Sequence, residues 1–128
     1  MKITVNEQPQ TFWLAFADKW VEGTGHEIKV GDYRFSAIPI TGKNNRIEIN
    51  VSEVTSGMRV MTIPIDPIIY YSTETKEQSL EYFHHIGKRL KKIIEKVNMD
   101  EHLKNARKRI AETHGEMPEI KYYEGEIS

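Results

Sequence analysis

The stretch 73-TETKEQSLEYFHHIGKRLKKIIEKV-97 is the longest regular element of the chain, and what it packs against sets the fold. At about 100° per residue, Leu80, Phe83, Ile86, Gly87, Leu90, Ile93, Ile94 and Val97 fill one broad apolar arc of a helix. Glu77, Glu81, Lys88, Lys92 and Lys96 take the opposite side, where long charged side chains keep their heads in water. The arc covers roughly 140°, wider than the seam of a simple coiled coil, so the helix is expected to lie across a sheet or between two elements. Gly87 sits in mid-arc, where Ala would add about 1 kcal/mol of helix propensity. Its presence there implies a close backbone approach. Thr75 and Gln78 match a capping box, and Glu74 and Glu77 suit the positive end of the helix dipole.

Downstream, Asn98 and Glu101 offer a second capping box, which breaks the helix and starts another. Met99, Leu103, Ala106 and Ile110 then form a narrow stripe that fits one neighbour along a seam. These four residues are the expected interface of a homo-oligomer. His114-Gly115 closes the second helix. The stretch 115–128 reads as an acidic tail, with Glu116, Glu119, Glu124 and Glu126 around Ile120, Tyr122 and Tyr123, either flexible or docked on a partner. Residues 1–114 read as one domain.

Upstream, Met1–Val5 alternates enough for a short strand. In Thr11–Val21, Trp13, Phe16, Ala17, Trp20 and Val21 recur at helical spacing, with Thr11 as N-cap and Gly23 as C-cap, and an N-terminal helix is expected. Phe12, Leu14 and Phe16 also alternate, which is the competing strand pattern. From Glu27 the period is two: Ile28 and Val30; Tyr33, Phe35 and Ala37; Ile47, Ile49 and Val51; Met58 and Val60. Gly31-Asp32, Thr41–Asn45 and Thr55–Gly57 separate these runs with turn residues, so four strands should form an antiparallel meander. The alternates Arg46, Glu48, Asn50 and Ser52 predict a wet face on the third of them. Pro39 and Pro64, which lack a backbone N–H, belong at strand ends, bulges or outward-facing positions. The expected fold class is α+β: an N-terminal helix, the meander, a long helix on the sheet and a shorter C-terminal helix.

With 128 residues, 38% of them hydrophobic, the chain suits a single domain. The formal net charge is -1, so no whole-protein field favours nucleic acid. The segment from Lys76 to His114, however, holds ten basic and six acidic residues, a local +4. The absence of cysteine excludes disulfides, thiol catalysis and thiolate-bound metals, and points to an intracellular, cytoplasmic setting. No apolar run approaches the ~20 residues of a membrane span, and no secretory leader pattern is evident, so no membrane partner is expected. The Lys, Ile, Glu and Asn bias resembles that of small accessory proteins of low-GC bacteria and their phages, a likeness of composition that implies no site.

Chemistry-bearing patterns are sparse. Glu81 and His84 have the Glu-x-x-His spacing of a helical metal site, but a carboxylate-bridged centre needs a second such pair, and no metal or cofactor is expected. There is no G-x-S-x-G elbow, no P-loop and no G-x-G-x-x-G, and an enzyme is not expected. The sequence therefore reads as a non-enzymatic binding protein that associates with an unidentified protein partner and with itself. The alternative is a binder of an anionic ligand, a nucleotide-like molecule or nucleic acid. Lys88, Arg89, Lys92, Lys96, Arg107 and Arg109 would hold its phosphates and Tyr70 would stack on a base.

Overall fold

The computed structural model describes residues 1–71 and 73–119. Strands β1 (Ile3–Val5), β2 (Gln10–Phe16), β3 (Lys19–Val30), β4 (Tyr33–Thr41), β5 (Ile47–Glu53) and β6 (Arg59–Pro64) precede helices α1 (Pro67–Tyr71), α2 (Lys76–Lys96) and α3 (Met99–His114). The strands pair antiparallel in the order β1-β3-β4-β5-β6, with β2 also on β3, and the sheet curls into a half-barrel. Two sequence expectations are corrected: no N-terminal helix forms, and the sheet has six strands, not four.

The segment expected to be helical is instead a hairpin. Alternation wins in β2 because β3 supplies a full partner, from Gln10↔Gly25 to Phe16↔Lys19. Phe12 and Leu14 are thereby buried on one face, while Trp13 and Ala15 face the other way. The connection is the two-residue turn Ala17-Asp18, in which Ala17 adopts φ 45°. Gly23, expected as a helix cap, lies inside β3 opposite Phe12.

The curl has identifiable causes. The Gly42 N–H donates to the Arg46 carbonyl at 2.7 Å, so alternation makes Ile40↔Glu48 and Ile38↔Asn50 the hydrogen-bonded pairs and turns the nitrogen of Pro39 away from β5. It faces the β3 side, where it has no N–H to offer, and the β3–β4 ladder ends at His26↔Ala37, just short of it. There β3 leaves β4 and pairs with β2 alone. Gly25 makes the crossing feasible, since a Cβ at that position would collide with the Ala37 carbonyl oxygen. The hairpin thus folds over one face of the sheet, and the Ala15 N–H donates to the Gly57 carbonyl at 3.0 Å, closing one end of the half-barrel seam.

Two cores result. On the helix-covered face, Ile28, Val30, Phe35, Ala37, Ile49, Val51 and Ile63 meet Ile86, Leu90 and Ile94 of α2 and Met99 and Leu103 of α3. Full burial of each such aliphatic side chain stabilises the fold by about 1.5–3 kcal/mol. Helix α2 begins with the capping box between Thr75 and Gln78 and lies against β1 and β3. The close approach at Gly87 is real: a Cβ there would sit 2.5 Å from Ile3 Cγ2. Under the hairpin, Phe12, Leu14, Ile38 and Val54 make a smaller core. Asn50 and Ser52, expected on a wet face, are 0% and 1% exposed because the hairpin covers them. The Ser52 hydroxyl donates to Asn50 Oδ1 at 2.6 Å, and Asn50 Nδ2 finds no acceptor among the described residues.

Helix α3 starts at the Asn98 cap and runs from the main core to the tip of the hairpin. Tyr33, beside the β3–β4 turn, donates its hydroxyl proton to Asp100 in the first turn of α3. At the other end, His114 Nε2 donates to the Phe16 carbonyl at 3.2 Å. Beyond it, Trp20 Nε1 donates to the Gly115 carbonyl and Trp13 Nε1 to that of Glu119, so the start of the acidic tail crosses the outer face of the hairpin. Residues 120–128, the rest of that tail, lie outside the described residues.

Candidate binding surfaces

The expected ligand residues are not brought together. Lys88, Arg89, Lys92 and Lys96 are exposed on α2, and none forms an ion pair among the described residues. Tyr70 belongs to α1 and is exposed there, on a different element from the lysine row of α2. Arg107 is occupied in another way. Its Nη1 donates to Thr55 Oγ1 at 3.0 Å, and Thr55 donates in turn, through both N–H and hydroxyl, to the carboxylate of Glu53, which is 2% exposed. This chain of bonds fastens α3 to the β5–β6 loop.

The expected interface stripe is also used within the chain. Met99, Leu103, Ala106 and Ile110 are 5%, 4%, 1% and 7% exposed, which leaves no seam open to a second copy. Glu81 and His84 line an open groove with Glu7, His85 and Lys88, and among the described residues no group of three or more such side chains is placed to hold a metal ion. No helix of the described residues is long and apolar enough to cross a membrane.

Two surfaces that the sequence did not single out have a more definite character. The first is α1, positioned by Asp66, whose Oδ1 accepts from the Ile69 N–H at 2.8 Å, and by Pro67 at the first helical position. Ile69 packs half-buried against the main core, no residue of the helix is fully buried, and Ile68, Tyr70 and Tyr71 are 78%, 63% and 68% exposed. Both tyrosines are open to solvent, their rings edge to face with centroids 5.7 Å apart. Ile47, 52% exposed, is bonded to Ile65, two residues before α1, its carbonyl accepting from the Ile65 N–H. Asp66-Pro67 is a recognisable helix start, but it sits at a strand end and leads into a single turn, so the sequence reads there as punctuation.

The second is a groove of about 300 Å³ between the start of β6 and α3, lined by Arg59, Arg109, Thr113, His114 and Ala17 among others, with no carboxylate in its wall. The other described grooves each mix charges: Glu7 and Glu81 with Lys88, Glu48 with Arg59, Glu116 with Arg107. Arg109 belonged to the expected basic cluster. Arg59 did not, because a lone cation in a strand has no local pattern, and only the tertiary fold sets it beside α3.

No family model matches the chain, and no curated protein or solved structure shows significant similarity to it.

Proposed function

We propose that the protein is a non-catalytic binding module that works by association with a protein partner, using the α1 surface as contact. The observation that carries this reading is that α1 exposes Ile68, Tyr70 and Tyr71 and fully buries none of its residues. Each of these large side chains left in water forgoes about 1.5–3 kcal/mol that burial would supply. Clustered exposure of that kind marks interaction surfaces, and tyrosine, with an apolar ring and a polar tip, is enriched in them. The lack of cysteine favours an intracellular setting for the association. The anionic-ligand reading keeps an open row of lysines on α2, while Arg107 is engaged with Thr55.

The test compares the wild type with Ile68→Asp/Tyr71→Asp in affinity capture from host cells and in sedimentation velocity. Because both residues are exposed, unfolding stability should change by less than about 0.5 kcal/mol. The captured partner, whether another protein or a second copy, should be lost. Retention of every partner by the folded variant overturns the reading.

A further inference from the structure

We infer that the free edge of β6 accepts an extended, acidic segment of a protein partner, which adds to the half-barrel as a further strand beside Arg59 and Arg109. This rests on the reading of the protein as a binding module, but on a different surface from α1. Among the described residues β5 is the only strand neighbour of β6, so one edge of β6 is unpaired. The direction of its backbone groups follows from the register. The Ile65 N–H donates to the Ile47 carbonyl at 3.0 Å, and Ile63 pairs with Ile49, so the groups of Ile63 and Ile65 turn toward β5. Those of Thr62 and Pro64 turn outward. Thr62 thus presents both a donor and an acceptor along the edge, and Pro64 presents an acceptor only, which limits how far an added strand can pair.

Side-chain chemistry supplies the sign of the partner. Arg59 stands at the start of β6 with Arg109 across the groove, and neither forms an ion pair among the described residues. Arginine holds a carboxylate with two parallel hydrogen bonds, and a partner chain on this edge would run past both guanidinium groups. On the sheet face beside this edge, Arg59 and Thr62 line an open groove of about 570 Å³ together with Ile40, Gly42 and Glu48. Glu48 repels acidic residues on that face, so the carboxylates of the added strand belong in the carboxylate-free groove between Arg59 and Arg109. In this mode of recognition main-chain bonds supply affinity and alternate side chains supply specificity.

The experiment selects binders from a display library of short random peptides on the full chain and locates them by amide hydrogen exchange. The expected binders are enriched in Asp and Glu and slow exchange of the Thr62 N–H by at least about tenfold. Arg59→Glu/Arg109→Glu should weaken them by at least about tenfold, and so should N-methylation of alternate peptide nitrogens, which leaves every peptide side chain in place. Ile68→Asp/Tyr71→Asp should leave them unchanged, which separates failure here from failure at α1. The inference is overturned if no binder emerges, if binders show no acidic enrichment, if N-methylated peptides bind equally well, or if Thr62 gains no protection.

Discussion

On the helix-covered face of the sheet, Phe35, Ala37, Ile49 and Val51 meet Ile86, Leu90 and Ile94 in one continuous apolar contact. Under the β2–β3 hairpin, four buried apolar side chains, Phe12, Leu14, Ile38 and Val54, share the space with Ser36, Asn50 and Ser52. The first core is large and backed by a 21-residue helix with a capping box. The second is roofed by a two-stranded flap that is fastened at its tip by Ala15 to Gly57 and by His114 to Phe16. A wall of that kind can relax around a lost side chain in a way that a long packed helix cannot, and the comparison is therefore open to measurement.

The largest expected effect is at Leu90. Leu90 and Leu14 are 0% and 1% exposed, so truncation of either removes the same atoms from equally dry surroundings. The cost of Leu→Ala depends on how far the site collapses, within a range of about 2–5 kcal/mol. Leu90→Ala is expected to cost about 4 kcal/mol and Leu14→Ala about 2 kcal/mol. Urea unfolding of both variants checks this. Equal losses would show that the hairpin is as rigid a wall as α2.

The two regions also differ in how openly the sequence shows them. Helix α2 repeats its apolar arc for more than five turns and is bounded by Thr75 and Asn98, and signals of that length and kind act locally. In the hairpin, Trp13, Phe16 and Trp20 satisfy a helical period while Phe12, Leu14 and Phe16 satisfy a strand period, and the turn at Ala17-Asp18 contains neither Gly nor Asn. What settles the matter is β3, a partner whose own path depends on Gly25 and Pro39. The misreading propagates: without the hairpin, Asn50 and Ser52 look like the outer face of β5. The binding surfaces follow the same rule. Arg109 is visible within a run of cations, whereas Arg59, alone in a strand, becomes its neighbour only through the tertiary fold.

The polar side chains of the second core offer the next test. Asn50 accepts from the Ser52 hydroxyl while its own Nδ2 is unpartnered among the described residues. Asn50→Leu alone leaves that buried hydroxyl without an acceptor, a loss of about 1–3 kcal/mol partly offset by the new apolar contact. Asn50→Leu/Ser52→Ala removes both partners and is expected within about 0.5 kcal/mol of wild type, or above it. Thermal unfolding of the two variants distinguishes these outcomes. A double variant as weak as the single one would mean that the polar pair stabilises the fold by more than mutual satisfaction.

The smallest effect concerns α3, which runs from the main core to the tip of the hairpin and is tied at its start by Tyr33 to Asp100. That hydrogen bond, with lesser contributions from burial and from the charges of Asp100 and Asp32, raises the Tyr33 phenol above its ordinary value of 10.0. Burial raises Tyr82 in the same direction. A folded-state value above the unfolded one means that the native state holds its proton more tightly. The associated stability is fully present below pH 10 and is lost as pH rises through the raised folded values. The Tyr33 contact is solvent-exposed, so its share is below about 1 kcal/mol. Melting temperature followed from neutral to strongly alkaline pH should fall once the ordinary tyrosine range is passed, and Tyr33→Phe should flatten part of that fall. The residual slope should belong to Tyr82 and disappear in Tyr33→Phe/Tyr82→Phe. If Tyr33→Phe follows the wild type throughout, the Tyr33–Asp100 bond adds nothing to stability, and the packing of Met99 and Leu103 in the main core accounts for the hold on the start of α3.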